Sequence, residues 1–212
     1  MKICEIFTSI QGESSFAGMP CSFVRLSGCN LRCVYCDTQY SYSEGVEMET
    51  VEVAGRVDEA GIRLVEITGG EPLLQWEETN SLIRALLDRD YEVLIETNGS
   101  VNIKGLDSKA VVILDMKTPD SGMSDEMDLS NLEIIKSTDE VKFVVCSRGD
   151  YEWSKKLIER YNLQQRCKIL LSPAAGMMKP RELASWMVRD RLKARLNLQL
   201  HRHIFDPGER GV

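Results

Sequence analysis

Histidine is scarce in this 212-residue chain, which has only His201 and His203, and there are six prolines and no long apolar run. Neither histidine stands at a finger-like distance from a cysteine pair, so a zinc finger built on Cys and His is not available. Without ~18 consecutive apolar residues there is no helix to cross a bilayer. Residues 1–6 also lack the apolar stretch that directs export, so no membrane association is expected. A basic excess is missing as well: the formal net charge of −7 argues against a broad nucleic-acid surface. A small anionic substrate needs only one or two placed cations and stays open. Tandem repeats, low-complexity tracts and Pro/Gly-rich linkers are absent, so a single domain over 1–212 is expected, its 43% apolar residues enough for one core. The seven cysteines are an odd set, three of them too close for a disulfide framework, which points to a reducing cytoplasm.

Those three cysteines, Cys29, Cys33 and Cys36, follow a C-x-x-x-C-x-x-C spacing with Tyr35 directly before the last. Thiolates are the usual ligands of iron–sulfur clusters, and a [4Fe–4S] cube normally takes four. A local set of three leaves one iron without a protein ligand and free to bind a small molecule. A structural zinc site would want a fourth Cys or His nearby, and Cys146 and Cys167 are isolated.

Hydrophobic patterning places this triplet at the end of a strand. Residues 2–7 and 21–27 read as strands, with a polar, glycine-punctuated loop over 9–15 between them. A helix is expected over 49–60. Strand and helix then alternate: strands over 62–68, 91–96, 111–116, 141–146, 168–171 and 196–200, and helices over 76–88, 130–136, 151–161 and 181–191. Most of these strands are continuously apolar, as when both faces of a parallel sheet are covered. Repeated βα units with right-handed crossovers make an α/β fold, and about six are too few to close an eight-stranded barrel. An open, partial barrel is the expected architecture. Ligands in such folds sit at the carboxyl ends of the strands. Thr68-Gly69-Gly70-Glu71-Pro72, Glu96-Thr97-Asn98-Gly99, Asp115-Met116-Lys117 and Ser172-Pro173-Ala174-Ala175 all fall there. The glycine pair is expected to let the backbone approach a ligand closely.

The cysteine spacing with its aromatic residue, together with the Gly-Gly-Glu-Pro turn, resembles the radical S-adenosylmethionine (SAM) superfamily. Further segments are similar to one family within it, the 7-carboxy-7-deazaguanine synthases. These are Ile10-Gln11-Gly12-Glu13, the run from Phe23 through Arg25 into Cys29, Cys36-Asp37-Thr38, and the end of the chain from His201 to Val212. The resemblance spans essentially the whole chain. It implies a [4Fe–4S] cluster on Cys29, Cys33 and Cys36, SAM, and Mg²⁺ on the hydroxyl of Thr38. It further implies a lyase reaction that converts 6-carboxy-5,6,7,8-tetrahydropterin to 7-carboxy-7-deazaguanine with release of ammonia, SAM being regenerated, in queuosine biosynthesis. Carried over residue by residue, Ile10, Gln11, Gly12, Arg25, Thr68 and Val212 meet the substrate, Arg25 through its carboxylate. Tyr35, Cys36, Asp37, Gly70, Glu96, Asp115, Met116, Lys117, Ser172, Pro173, Ala174 and Ala175 meet SAM. A homodimer and a flavodoxin-like or ferredoxin-like electron donor are implied too. Two departures stand out: Asp115-Met116-Lys117 replaces the Ser-Pro-Lys of some members, and Ser14 and Ser15 stand where many have another glycine. His201 and His203 are expected on an extended segment with structural roles.

Two other functions share part of this pattern. An activase that installs a glycyl radical on a partner protein has the same cysteine triplet and Gly-Gly-Glu-Pro turn, but has no use for Arg25 or Thr38. A zinc-dependent nucleic-acid module would need basic patches, which the acidic balance disfavours.

Overall fold

A computed structural model describes residues 1–206 and 208–211. Strand β1 (Lys2–Ile10) pairs antiparallel with β2 (Pro20–Leu26) and, at its outer edge, with the short β3 (Val46–Glu47). From β2 onward every neighbour is parallel, through β4 (Leu64–Gly69), β5 (Glu92–Thr97), β6 (Val111–Met116), β7 (Glu140–Val145), β8 (Lys168–Pro173) and β9 (Arg195–Leu196). The sheet order is β3-β1-β2-β4-β5-β6-β7-β8-β9, and its two ends do not pair, so the barrel stays open. The expectation of an open partial barrel is met.

Parallel strands need crossovers, and helices provide most of them. Helices α1 (Thr50–Ala60), α2 (Trp76–Leu87), α3 (Asn131–Ile134), α4 (Arg148–Arg160) and α5 (Pro180–Arg189) lie along the chain between strands. Helix α2 buries Leu82, Ile83 and Leu86, the i, i+1, i+4 stripe of a helix with one apolar face. The hydroxyl of Ser147 caps α4 by accepting from the Asp150 N–H. No helix is long and apolar enough to cross a membrane among the described residues.

Period-two alternation divides the strand side chains between two cores. Residues such as Val24, Leu26, Ile67, Ile95, Leu114, Met116, Phe143 and Leu171 form the outer core with the helices. A smaller cluster, Cys21, Phe23, Leu64, Leu94 and Ile113, fills the base of the barrel interior, with Phe7, Phe16 and Val111 against it. The continuous apolar runs of the sequence arise because both faces are covered.

Three expectations need correction. Strand β1 continues to Ile10 rather than ending at residue 7, because its whole length pairs with β2 as far as Ile10 opposite Pro20. The last strand is confined to Arg195–Leu196 instead of 196–200. Beyond it the chain leaves the sheet edge: the Leu200 N–H bonds to the carbonyl of Gly12, and His201–Ile204 forms the short helix α6 where an extended segment was expected. The histidines therefore do not alternate on a strand.

Candidate active site

The cluster loop leaves β2 and lies against the turn that follows β4. The Gly70 N–H bonds to the Leu26 carbonyl at 3.1 Å, and the Glu71 N–H to the Gly28 carbonyl at 2.7 Å. A Cβ on Gly69 would stand 2.3 Å from the Leu26 oxygen, and one on Gly70 would stand 2.0 Å from that of Gly28. The two glycines are thus demanded by backbone packed on backbone, whatever ligand also approaches them from the cavity they line. Glu71 completes the joint. Fully buried, its carboxylate accepts from the Leu73 N–H (2.9 Å), the Thr97 hydroxyl (2.8 Å) and the Asn98 N–H (2.6 Å). One side chain thereby links the turns after β4 and β5. Burial pushes its pKa up to about 7, against those three hydrogen bonds, which favour the ionised form.

Within the loop, Arg32 donates to the carbonyls of Cys29 (2.8 Å) and Leu31 (2.6 Å) and lies over the Tyr42 ring, 4.2 Å from its centroid. The Val34 N–H bonds to the Ser121 carbonyl, and the Asn98 amide points at Cys29 Sγ, 3.8 Å away. Cys29, Cys33 and Cys36 all line one cavity of about 630 Å³ at the carboxyl ends of the strands. Burial raises the pKa of Cys29 and pushes that of Cys33 up to about 11, so a metal that binds them as thiolates displaces their protons. No three His, Cys, Asp or Glu side chains among the described residues converge on a point for a single ion. An iron–sulfur cube, whose thiolates sit on separate irons, does not require such convergence. Close by, Tyr35 Oη and Asp115 Oδ1 are buried without any hydrogen-bond partner. Two orphaned polar atoms beside three thiols are the surroundings a polar cofactor would satisfy, and the donor set fits a thiolate-held cluster with a small molecule on it.

The same cavity is lined by Ile10, Gln11, Gly12, Arg25, Tyr35, Asp37, Thr38, Thr68, Gly70, Glu96, Asp115, Lys117 and the run 172–175. Sixteen of the eighteen residues expected to meet substrate or SAM therefore share one space. Met116 does not: it is fully buried in the outer core, because Asp115 takes the inward position on β6 and alternation turns its neighbour toward the helices. Val212 lies outside the described residues. Thr38 precedes a 3-10 turn at Gln39–Tyr42 without capping it, and its hydroxyl is 3.8 Å from Cys36 Sγ.

Inside the barrel the side chains form two rings. The upper ring holds Arg25, Thr68, Glu96, Asp115 and Lys142 and the lower Phe23, Glu66, Leu94, Ile113 and Glu140, each stepping by two residues between β5 and β6, where Leu94 pairs with Val111 and Glu96 with Ile113. Lys142 is buried among three carboxylates: Glu13 at 3.0 Å, Asp115 at 3.3 Å and Glu96 in hydrogen-bond contact. Burial opposes its charge, but those anions prevail and hold its pKa well above the ordinary value. Asp115 also receives Lys117 at 2.8 Å; burial would raise its pKa, yet the two ammonium groups keep it lowered. Arg25 is fixed at one edge, its Nε donating to Glu5 at 2.7 Å, with the Tyr40 hydroxyl on the same carboxylate. Its terminal nitrogens bond no described residue. Glu66 and Lys142 belong to no sequence motif, and Glu13 and Glu71 stand in motifs that assign them no role of their own. A single charge at an inward position of an otherwise apolar strand, as in Val141-Lys142-Phe143 or Val65-Glu66-Ile67, was the available signal.

The radical SAM superfamily profile matches residues 23–167. The 7-carboxy-7-deazaguanine synthase of Chlorobaculum tepidum is 45% identical over all of this chain and 97% of its own length. That of Koribacter versatilis is 39% identical over the full length of both. Among solved structures, QueE from Escherichia coli superposes with a TM-score of 0.78 over 94% of each chain at 24% identity, a likeness of fold.

Proposed function

The chain belongs to the radical SAM superfamily and, within it, to the 7-carboxy-7-deazaguanine synthases, and we propose that it converts 6-carboxy-5,6,7,8-tetrahydropterin to 7-carboxy-7-deazaguanine with release of ammonia. It is a lyase of the queuosine pathway that uses a [4Fe–4S] cluster and SAM. When bound, this pair supplies a 5′-deoxyadenosyl radical able to take hydrogen from C6 of the substrate. The observation that carries the reading is full-length similarity to named synthases joined to one cavity that holds three thiols and a guanidinium. The same similarity decides against the activase alternative.

Roles for the chain's own residues follow as proposals. Cys29, Cys33 and Cys36 hold the cluster. Asp115, with one buried oxygen unpartnered, and the backbone of 172–175 receive SAM, together with Tyr35, Asp37, Gly70, Glu96 and Lys117. For Met116 only the backbone remains to contribute. Arg25, held at one edge by Glu5, turns its free terminal nitrogens to the substrate carboxylate as a planar fork. Ile10, Gln11, Gly12 and Thr68 complete the substrate wall. Thr38, uncommitted to capping, offers a hydroxyl to Mg²⁺, a hard ion that keeps several waters. A single domain, a cytoplasmic location, a homodimer and a small flavodoxin-like or ferredoxin-like donor complete the proposal.

Anaerobically reconstituted protein, reduced and given SAM and the carboxy-tetrahydropterin, is expected to release ammonia and the deazaguanine. Cleavage of SAM with that substrate untouched would overturn the synthase assignment and leave the superfamily intact. Arg25→Ala should raise the substrate KM by about 10–100-fold, the loss of a charged hydrogen-bond pair, with SAM affinity little changed. Equal losses for both ligands would refute its role.

A further inference from the structure

Glu66 is a carboxylate set among apolar side chains at the base of the barrel, where the other charged member of its ring, Glu140, is paired with Lys168 at 3.4 Å. It stands on β4 opposite Phe23 on one side and Leu94 on the other, in the ring that Ile113 and Glu140 complete, and is 4% exposed. Alternation asks only for an inward side chain there, and an unpaired buried charge is unfavourable where Val or Leu would be stabilising. The upper-ring carboxylates Glu96 and Asp115 each have a cation within ion-pair distance, as does Glu13. Glu66 has none among the described residues. Its one partner is the side-chain amide of Gln11, which donates to Oε2. Gln11 is itself held in place: its Oε1 accepts from the Glu13 N–H at 2.7 Å, so the amide orientation is set. Two groups are left over beside each other on the cavity wall, Glu66 Oε1, which accepts no bond from a described residue, and the second N–H of the Gln11 amide.

An acceptor oxygen next to an amide donor is the complement of a lactam edge, N–H beside C=O, and the spare capacity of the carboxylate extends that match to an adjacent exocyclic amine. Resting on the synthase reading, we propose that Glu66 and Gln11 recognise the amino-pyrimidinone edge shared by the pterin substrate and the deazaguanine product. Glu66 accepts from the ring N–H and the exocyclic amine, and Gln11 donates to the carbonyl. The groups that face Glu66 fit this use. Burial, with Glu96 and Glu13 adding repulsion against the partial relief of Lys142 and Arg25, disfavours its charge, and two N–H donors favour it.

The test is anaerobic titration calorimetry on the SAM-loaded holoenzyme with 7-carboxy-7-deazaguanine and with the same compound lacking the exocyclic amine. Wild type is expected to prefer the amine by at least about tenfold, one hydrogen bond to a charged group. In both Glu66→Gln and Glu66→Leu the preference should fall below about threefold while SAM affinity moves by less than about twofold. The leucine variant suits the apolar neighbours Phe23 and Leu94 and guards against a folding artefact. An undiminished preference in both variants, or a wild type that binds both compounds equally, overturns this assignment alone. A wild type that binds neither overturns the synthase reading and this assignment with it.

Discussion

Two rings of side chains face each other inside one barrel and obey opposite rules. In the upper ring, beside the cluster loop, charge is dense but matched: Lys142 serves Glu13, Glu96 and Asp115, and Lys117 serves Asp115 again. In the lower ring apolar packing dominates, Phe7 stacking on Phe23 at 4.9 Å; Glu140 is matched by Lys168 at 3.4 Å, and Glu66 has no cation partner among the described residues. A matched charge is part of the scaffold, because removing any partner strands the others. An unmatched one weakens the scaffold, and its persistence calls for a ligand. The difference separates residues that hold the site from residues that read what enters it.

The most damaging way to break this contrast is Lys142→Met. Three carboxylates, Asp115 buried and Glu13 and Glu96 half-buried, would lose their common cation, and a loss of about 3–5 kcal/mol is expected in urea unfolding. A loss below about 1 kcal/mol would mean that the upper ring does not depend on its ammonium. The lower ring should respond in the other direction. Glu66→Leu exchanges a desolvated carboxylate for an apolar side chain at the expense of the Gln11 hydrogen bond, and a net gain of about 1 kcal/mol is expected. Destabilisation of that size would instead make Glu66 structural.

The smallest effect, and the sharpest for the comparison, is the dependence of stability on pH. Glu13 and Asp115 have lowered pKa values, so their contribution is present above the ordinary carboxylate range, about pH 4, and is lost as pH falls through it. Glu66 has a raised pKa, so its contribution is present below that range and is lost as pH rises. Glu71, pushed up to about 7, acts in the same sense as Glu66 between about pH 4 and 7. Asp115→Asn should therefore flatten the acid limb of the unfolding profile. Glu66→Gln should flatten part of the decline toward neutral pH, leaving the share due to Glu71. The same change in both variants would erase the distinction between the rings.

Much of this was legible in the chain. The alternation of strands and helices anticipated the open sheet, and placing motifs at strand ends brought sixteen expected residues to one cavity. The side chain of Met116 leaves the cavity because on a strand the middle member of a three-residue motif faces the other way, which a motif read along the chain does not register. The histidine segment was misread because two alternating histidines over four residues fit either an extended strand or one turn of helix. Lys142 and Glu66 went unnoticed because a lone charge in an apolar strand has no meaning until its neighbours are known.

The linear sequence by itself determined the cysteine spacing, the strand ends and the family, since each rests on residues adjacent in the chain and on short-range periodicity. Only the tertiary structure decided that Gly69 and Gly70 accommodate the cluster loop, that Glu71 ties two turns together, and that Lys142 is matched while Glu66 is not. Those facts depend on side chains tens of residues apart sharing a low-dielectric interior, where the balance between desolvation and a partner charge is set by distance in space.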